Sequence, residues 1–395
     1  MLADVAPAHH RYPPRLDALT PLRFVAAALI AAGHGADRVG FSLGGAAPYA
    51  IGTAVSFFFV LSGFVLAYNY PSLDGDGDVR RFYVMRVARI WPLHLAGLVA
   101  ILLVVPQAGW VLPGIDATLA APLVATLTQS WFTLVAGYAG AYNPPAWTLS
   151  VDVFFYLAFP LLLLAMRSAP SRTFVAALVL SVACPLVATW LGPTNRGDPV
   201  TGWNWYLLDR TFPLARLAEF ALGMLAARAF DALRARAPRS RVGASAIELV
   251  ALGTAAVAMA AIHRMPYAAP WLGPGVADWL THVGVAPFFA LTIVAMALGG
   301  GAFSALMSTR PAIHLGNLSY AIYVLHIPVL VLDPWPRLAQ DYGPWPAAAA
   351  CALALLVVAH VAHIAIELPA RRAIVRAYER RDAAAAARAA GLPTS

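Results

Sequence analysis

The chain has 395 residues, 61% of them hydrophobic and 12% charged, with a mean hydropathy of +0.70. A soluble domain is about a quarter charged, so this composition excludes a water-soluble globular protein and places the chain in lipid. All 27 basic residues are arginine, which excludes a Schiff-base lysine, and the net charge of +8 lies in short loops between apolar runs, where it sets membrane orientation and does not suggest a nucleic-acid partner.

Ten membrane spans are predicted in chain order, at 19–36, 51–70, 88–105, 147–166, 173–191, 213–230, 245–262, 283–300, 313–332 and 345–367. With the N-terminus in the cytoplasm, 20 arginines fall inside and only five outside, namely Arg38, Arg196, Arg210, Arg264 and Arg337. Arg23 and Arg216 remain within the membrane. This asymmetry obeys the positive-inside rule and puts both termini in the cytoplasm. The expected fold is an all-α polytopic bundle in a membrane. It comprises a cytoplasmic tail over 1–18, a membrane domain over 19–370 and a basic cytoplasmic tail over 371–395. "PLVATLTQSWFTLVAGYAG" (Pro122 to Gly140) is apolar enough to span, but counting it inverts every later loop and sends "RARAPRSR" outside. It reads as a re-entrant or surface segment before the fourth span. A signal peptide cut at "AAG" is the competing reading of the first span, and it would discard Arg23.

In the first span, "PLRFVAAALIAAGHGADR", Arg23 and His34 are eleven residues apart. At ~100° and ~1.5 Å per residue they share a helix face about 16 Å apart. Charged groups inside a bilayer are functional candidates by default. On the outer side the topology collects His34, Asp152 of "NPPAWTLSVDVFFY", Arg216 and Glu219 of "ARLAEFALGM", and His326 of "LSYAIYVLHIPV". Arg216 and Glu219, one turn apart, also suit a structural ion pair. His34 beside Asp152 suits a general base oriented by a carboxylate. On the inner side "RRFYVMRVARIWP" brings Arg80, Arg81, Arg86 and Arg89 to the third span, with Arg86 and Arg89 on one face. Such guanidinium groups either fix topology or bind phosphate, and Arg23 continues their line up the first span.

Weaker patterns recur along the chain. "DGDGD" (Asp74 to Asp78) resembles the start of a calcium loop, but Val79 and Met85 occupy the positions that need glycine and glutamate, so a flexible loop is expected. "HVAHIAIE" aligns His360, His363 and Glu367 on one face, either for inter-helix hydrogen bonds or for a metal; no metal site is expected. Cys184 and Cys351 lie in apolar runs as packing residues. Eight tryptophans, Trp110 to Trp345, map to the outer boundary and Trp91 to the inner, as an interfacial belt or a surface for sugar rings.

"LDALTPLRFVAAALIAAGH", "SFFFVLSGFVLAY", "FYVMRVARIWPLH", "NPPAWTLSVDVFFYLAFPLLL", "ARLAEFALGML" and "LGNLSYAIYVLHIPV" resemble, in this order, the motifs of the integral-membrane acyltransferase family 3, the bacterial O-acetyltransferases. The resemblance covers roughly residues 15 to 370. It implies transfer of an acyl group, most often acetyl, from acyl-CoA to a hydroxyl of an envelope or exported saccharide or similar acceptor. It implies donor contacts at Arg23, Arg86 and Arg89 and catalysis at His34. Trp147, Thr148, Leu149, Ser150 and Asp152 match the family's tryptophan-serine-leucine-serine-glutamate motif, with aspartate in place of glutamate. Ser150 or Arg216 then serves to stabilise an oxyanion. Many relatives carry an extracytoplasmic hydrolase-like domain that this sequence lacks, so the membrane part is expected to act alone or with a separate partner. Two rival readings are a transporter with an intramembrane proton relay and a non-enzymatic partner in envelope assembly.

Overall fold

In lipid every backbone N–H and C=O must be satisfied within its own segment, so the long apolar runs form helices. The computed structural model describes residues 14–42, 47–131, 137–191, 205–237, 240–264 and 270–389, and among these no strand occurs. In chain order the helices are α1 (Leu19–Gly35), α2 (Ala47–Asn69), α3 (Asp76–Val104), α4 (Ala117–Ala125), α5 (Trp147–Ser168) and α6 (Pro170–Leu191). Next come α7 (Trp205–Arg210), α8 (Leu217–Leu233), α9 (Arg241–Ala261), α10 (Pro274–Val283) and α11 (Ala286–Leu298). The chain continues through α12 (Ala302–Met307), α13 (Arg310–Leu330), α14 (Pro334–Tyr342), α15 (Pro344–Ala362) and α16 (Leu368–Ala389).

Among the described residues, eight helical segments are long and apolar enough to cross a membrane. The other two predicted spans form α1 and α8, of 17 residues each, which pack inside the bundle. Among the starts of the predicted spans, the largest difference from the sequence reading is in α3, which begins at Asp76 and not at residue 88. Asp76 and Asp78 lie in its first turn, where carboxylates complement the helix dipole, while Asp74 pairs with Arg167 at 2.7 Å. The "DGDGD" run is therefore largely a helix start.

Two sets of contacts fix the depth of each residue. α1, α3 and α13 run parallel: Gly316 packs on the Thr20 carbonyl, Gly35 on Leu330, and Gly97 on Val324. The Tyr320 hydroxyl donates to the Ile90 carbonyl at 2.6 Å. α2 and α8 also run parallel and cross where a Cβ on Gly63 would overlap the Phe220 carbonyl and one on Gly223 the Val60 carbonyl. Small residues at such crossings let backbones meet and gain dispersion contacts that lipid cannot supply.

The segment from α4 to α5 enters the bundle from one end. The Trp91 indole N–H donates to the Ala125 carbonyl at 3.1 Å, and His94 Nε2 lies 2.8 Å from the Val124 carbonyl, both from mid-α3. Leu127 and Val124 are fully buried. The Ser130 N–H donates to Ser150 Oγ at 3.1 Å, and Trp131 Nε1 to the Ser150 carbonyl at 3.0 Å. The segment is thus re-entrant where it is described, covered by protein as irregular backbone in lipid must be. Trp91 serves this docking and not an interfacial belt.

At the far end of the chain α15 passes through a π-helical turn, His363–Glu367, into α16. The described part of the basic tail is therefore a helix laid on α3, with Arg80 to Asp382 at 2.8 Å and Arg81 to Glu379 at 3.8 Å.

Candidate active site in two layers

α1 carries one functional group at each end. Near its start Arg23 is half-buried beside Tyr156 and among Arg89, Arg86 and Asp152, whose charges act on it, and it makes no hydrogen bond or ion pair among the described residues. The Arg86 guanidinium lies 5.6 to 5.8 Å from the rings of Tyr70, Phe82 and Tyr156, and its Nη2 donates to the Tyr70 hydroxyl at 3.2 Å. Its Nε is buried and makes no hydrogen bond among the described residues. Arg89 lies 5.6 Å from the Tyr320 ring and donates from Nη1 to Glu367 Oε1 at 2.9 Å. Arg371, one turn beyond Glu367, adds a fourth cation to this field. Each guanidinium has five donors, and most of those on Arg23, Arg86 and Arg89 make no hydrogen bond among the described residues. Cations gathered in a low dielectric with donors to spare suit an anionic ligand, since mutual repulsion falls when an anion joins them.

Glu367 also answers the "HVAHIAIE" pattern. Its Oε2 accepts from His363 Nδ1 at 2.8 Å, while His360 packs edge-on against His314 with ring centroids 5.2 Å apart. The spacing serves inter-helix contacts and anchors Arg89.

At the other end of α1, His34 is exposed and His326 is fully buried. His34 Nδ1 and His326 Nε2 are 2.9 Å apart, with the ring planes within 4°. The tautomers follow from the next contact. His326 Nδ1 is 2.7 Å from the Tyr323 carbonyl, which can only accept, so the His326 proton is on Nδ1 and its Nε2 carries a lone pair. His34 must then donate from Nδ1, which leaves its own Nε2 as a free base.

Asp152 is not part of this pair. Thr148 Oγ1 lies 2.7 Å from the Tyr323 hydroxyl, which sets the level of α5 against α13. His326 is three residues from Tyr323 toward one end, and Asp152 is four residues from Thr148 toward the other, a separation of roughly 10 Å along the axis. Asp152 instead faces Ser62, Arg23 and Arg86. The expected His34–Asp152 pairing fails because the re-entrant segment starts α5 within the bundle, so one turn into that helix is already deep. A glutamate's additional methylene would not close the gap.

The oxyanion candidates are also placed elsewhere. Arg216 is buried, donating from Nε to Glu219 Oε2 at 2.6 Å and from Nη2 to Oε1 at 2.8 Å, with the Phe59 ring 5.2 Å away. The Ser56 hydroxyl donates to the same carboxylate. This is the structural ion pair. Ser150 is fully buried and holds the re-entrant segment. The cation whose charge acts on His34 is Arg210 of α7, which the sequence reading counted as an outer loop charge. Arg210 also feels Asp278, and nothing in the local sequence signals either influence. Tyr156 did leave a signal, since it lies one turn from Asp152 on the same face.

The profile of the family described as an acyltransferase domain matches residues 16–363. The chain is similar to "Acyltransferase MdmB" of Streptomyces mycarofaciens, with 31% identity over 390 residues, 92% of this chain and 93% of that protein. No solved structure matches the chain. An arginine layer at the start of α1, a histidine pair at its end and these two matches lead to one assignment: the chain belongs to the integral-membrane acyltransferase family 3 and is an acyltransferase.

Proposed function

We propose that the protein transfers an acyl group, acetyl in the first instance, from cytoplasmic acyl-CoA to a hydroxyl of an envelope or exported saccharide or similar acceptor. It does so in the bacterial inner membrane with both termini cytoplasmic. The observation that supports this reading most is the tautomer chain from the Tyr323 carbonyl through His326 to a free Nε2 on His34, about 16 Å along α1 from unsaturated arginines.

The donor's phosphates bind Arg86, Arg89 and Arg23, with Arg371 adding charge at the same end, and Asp152 balances the arginine layer. The acyl thioester lies at His34. His34 Nε2 takes the proton of the acceptor hydroxyl as its oxygen attacks the thioester carbon, a step typically worth 10²- to 10⁴-fold. The C–S bond breaks, the thiolate receives that proton, and ester and free CoA leave. His326 Nε2 accepts from Nδ1–H of His34 throughout, holding the ring and sharing the imidazolium charge. The charge of Arg210, which acts on His34, would favour the oxyanion. Family membership favours this reading over the transporter and envelope-assembly alternatives.

The test uses purified protein and labelled acetyl-CoA. Arg86→Ala and Arg89→Ala are each expected to weaken acetyl-CoA binding about tenfold or more, since charge-assisted hydrogen bonds contribute ~1.5–3 kcal/mol each. Unchanged binding in the folded double variant would leave these arginines a topological role and remove the donor site.

A further inference from the structure

Gln129 is fully buried, and neither its Oε1 nor its Nε2 makes a hydrogen bond among the described residues. A buried amide in this state lowers stability, and such groups are rare enough to need a reason. Its backbone is not free to turn away. Leu127, two residues earlier, is held at φ 57°, a left-handed conformation costly for a leucine. On the other side Ser130 donates from its N–H to Ser150 Oγ at 3.1 Å and from its hydroxyl to the Trp147 carbonyl at 3.1 Å. The second end of the re-entrant segment repeats the pattern. Asn143 is buried and donates from Nδ2 to the Val324 carbonyl at 2.9 Å, while its Oδ1 makes no hydrogen bond among the described residues.

Both amides lie between the two layers. Ser150, which holds the Gln129 loop, is two residues from Asp152 beside the arginines, and Val324 is two residues from His326. The part of acyl-CoA that must pass between those layers is the pantetheine arm. It is an uncharged chain whose polar groups include two secondary amides, each with one N–H and one C=O. Gln129 offers one acceptor and an N–H donor, which match such an amide at both atoms, and Asn143 Oδ1 accepts the N–H of another. We propose that Gln129, with Asn143 toward the histidines, is the binding site for the amides of the donor's pantetheine arm. This inference rests on the reading that the donor is an acyl-CoA.

The experiment compares two probes on purified Gln129→Met protein, the substituted side chain being close in size but apolar. Acetyl-CoA reports on the whole donor site, and 3′-phospho-ADP, the nucleotide part of CoA, reports on the arginines alone. Binding of acetyl-CoA is expected to weaken about tenfold, as for loss of one or two neutral hydrogen bonds, with 3′-phospho-ADP binding unchanged. Thermal stability without ligand is expected to stay level or rise, because an unpaired buried amide has been removed. A lower unfolding temperature, or failure to accumulate folded protein, makes Gln129 structural and overturns the proposal. So does unchanged acetyl-CoA binding, or equal weakening of both probes. If wild-type protein binds neither probe, the acyl-CoA reading itself falls, a result distinct from each of those.

Discussion

At the scale of single residues, the two histidines have unequal parts. His34 Nε2 is the free base, and His326 acts on it only through a 2.9 Å hydrogen bond. His34→Ala is therefore expected to remove turnover at every donor concentration while keeping donor binding, since the arginines proposed to hold the phosphates begin about 16 Å away along α1. His326→Leu is expected to lower kcat on the order of 10²-fold with little change in the donor KM. His326→Gln should recover part of that loss, because its carbonyl oxygen still accepts from His34 Nδ1. Steady-state kinetics on folded variants check this order, and a His326→Gln as inactive as His326→Leu would deny the acceptor role. Asp152 gives a contrasting expectation. Facing Arg23 and Arg86, its loss in Asp152→Asn leaves the layer more positive, so the donor KM should fall and kcat hold. A kcat collapse would restore it to the histidine. The sequence did reveal that Arg23 and His34 share a face and that His326 lies at the His34 end, because helical period and span order are enough for both. It did not reveal that Asp152 belongs with the arginines, since the depth of a residue depends on where its helix starts.

At the scale of elements, that start is set by the re-entrant segment. Its apolar run alone looks like a span, and only the arginine count identified it as re-entrant or superficial. Docking through Trp91, His94 and Ser150 shows it inside the bundle, a placement carried by long-range hydrogen bonds with no local pattern. The π-turn His363–Glu367 was equally hidden, although the spacing of its ionisable residues was visible. The α2–α8 crossing was hidden for another reason: nothing in a single sequence says which glycines face each other. Gly63→Ala and Gly223→Ala should each cost about 1–3 kcal/mol, because the obstructing atoms are backbone carbonyls that cannot move aside as a side chain would. Gly253→Ala in α9, where an added Cβ meets nothing within 4 Å, should instead stabilise by roughly 0.5–1 kcal/mol through helix propensity. Detergent-titrated unfolding of the three variants measures the contrast, and equal effects at all three would dissolve the close-crossing argument.

At the scale of the whole molecule, the parallel course of α1, α3 and α13 was legible, because segments separated by an even number of crossings must run the same way. Their contact with one another was not. The same parity gives a test of orientation that is independent of the chemistry. The arginine layer and α16 lie at the end of the bundle where α1 begins, and His34, His326 and α14 lie at the end where α1 and α13 finish. Counting from that geometry, Ser240, at the start of α9, is at the arginine end, and Asp341, in α14, is at the histidine end; both are exposed. The native Cys184 and Cys351 are buried free thiols, so an introduced cysteine reports its own position. If the positive-inside rule orients the protein, Ser240→Cys should resist a membrane-impermeant thiol reagent in intact cells and react after permeabilisation, whereas Asp341→Cys should react in both. The reverse pattern would put the arginines outside, where cytoplasmic acyl-CoA cannot reach them, and would invert the direction of transfer. Labelling of both cysteines in intact cells would break the parity itself, requiring an odd number of crossings between α9 and α14 to become even.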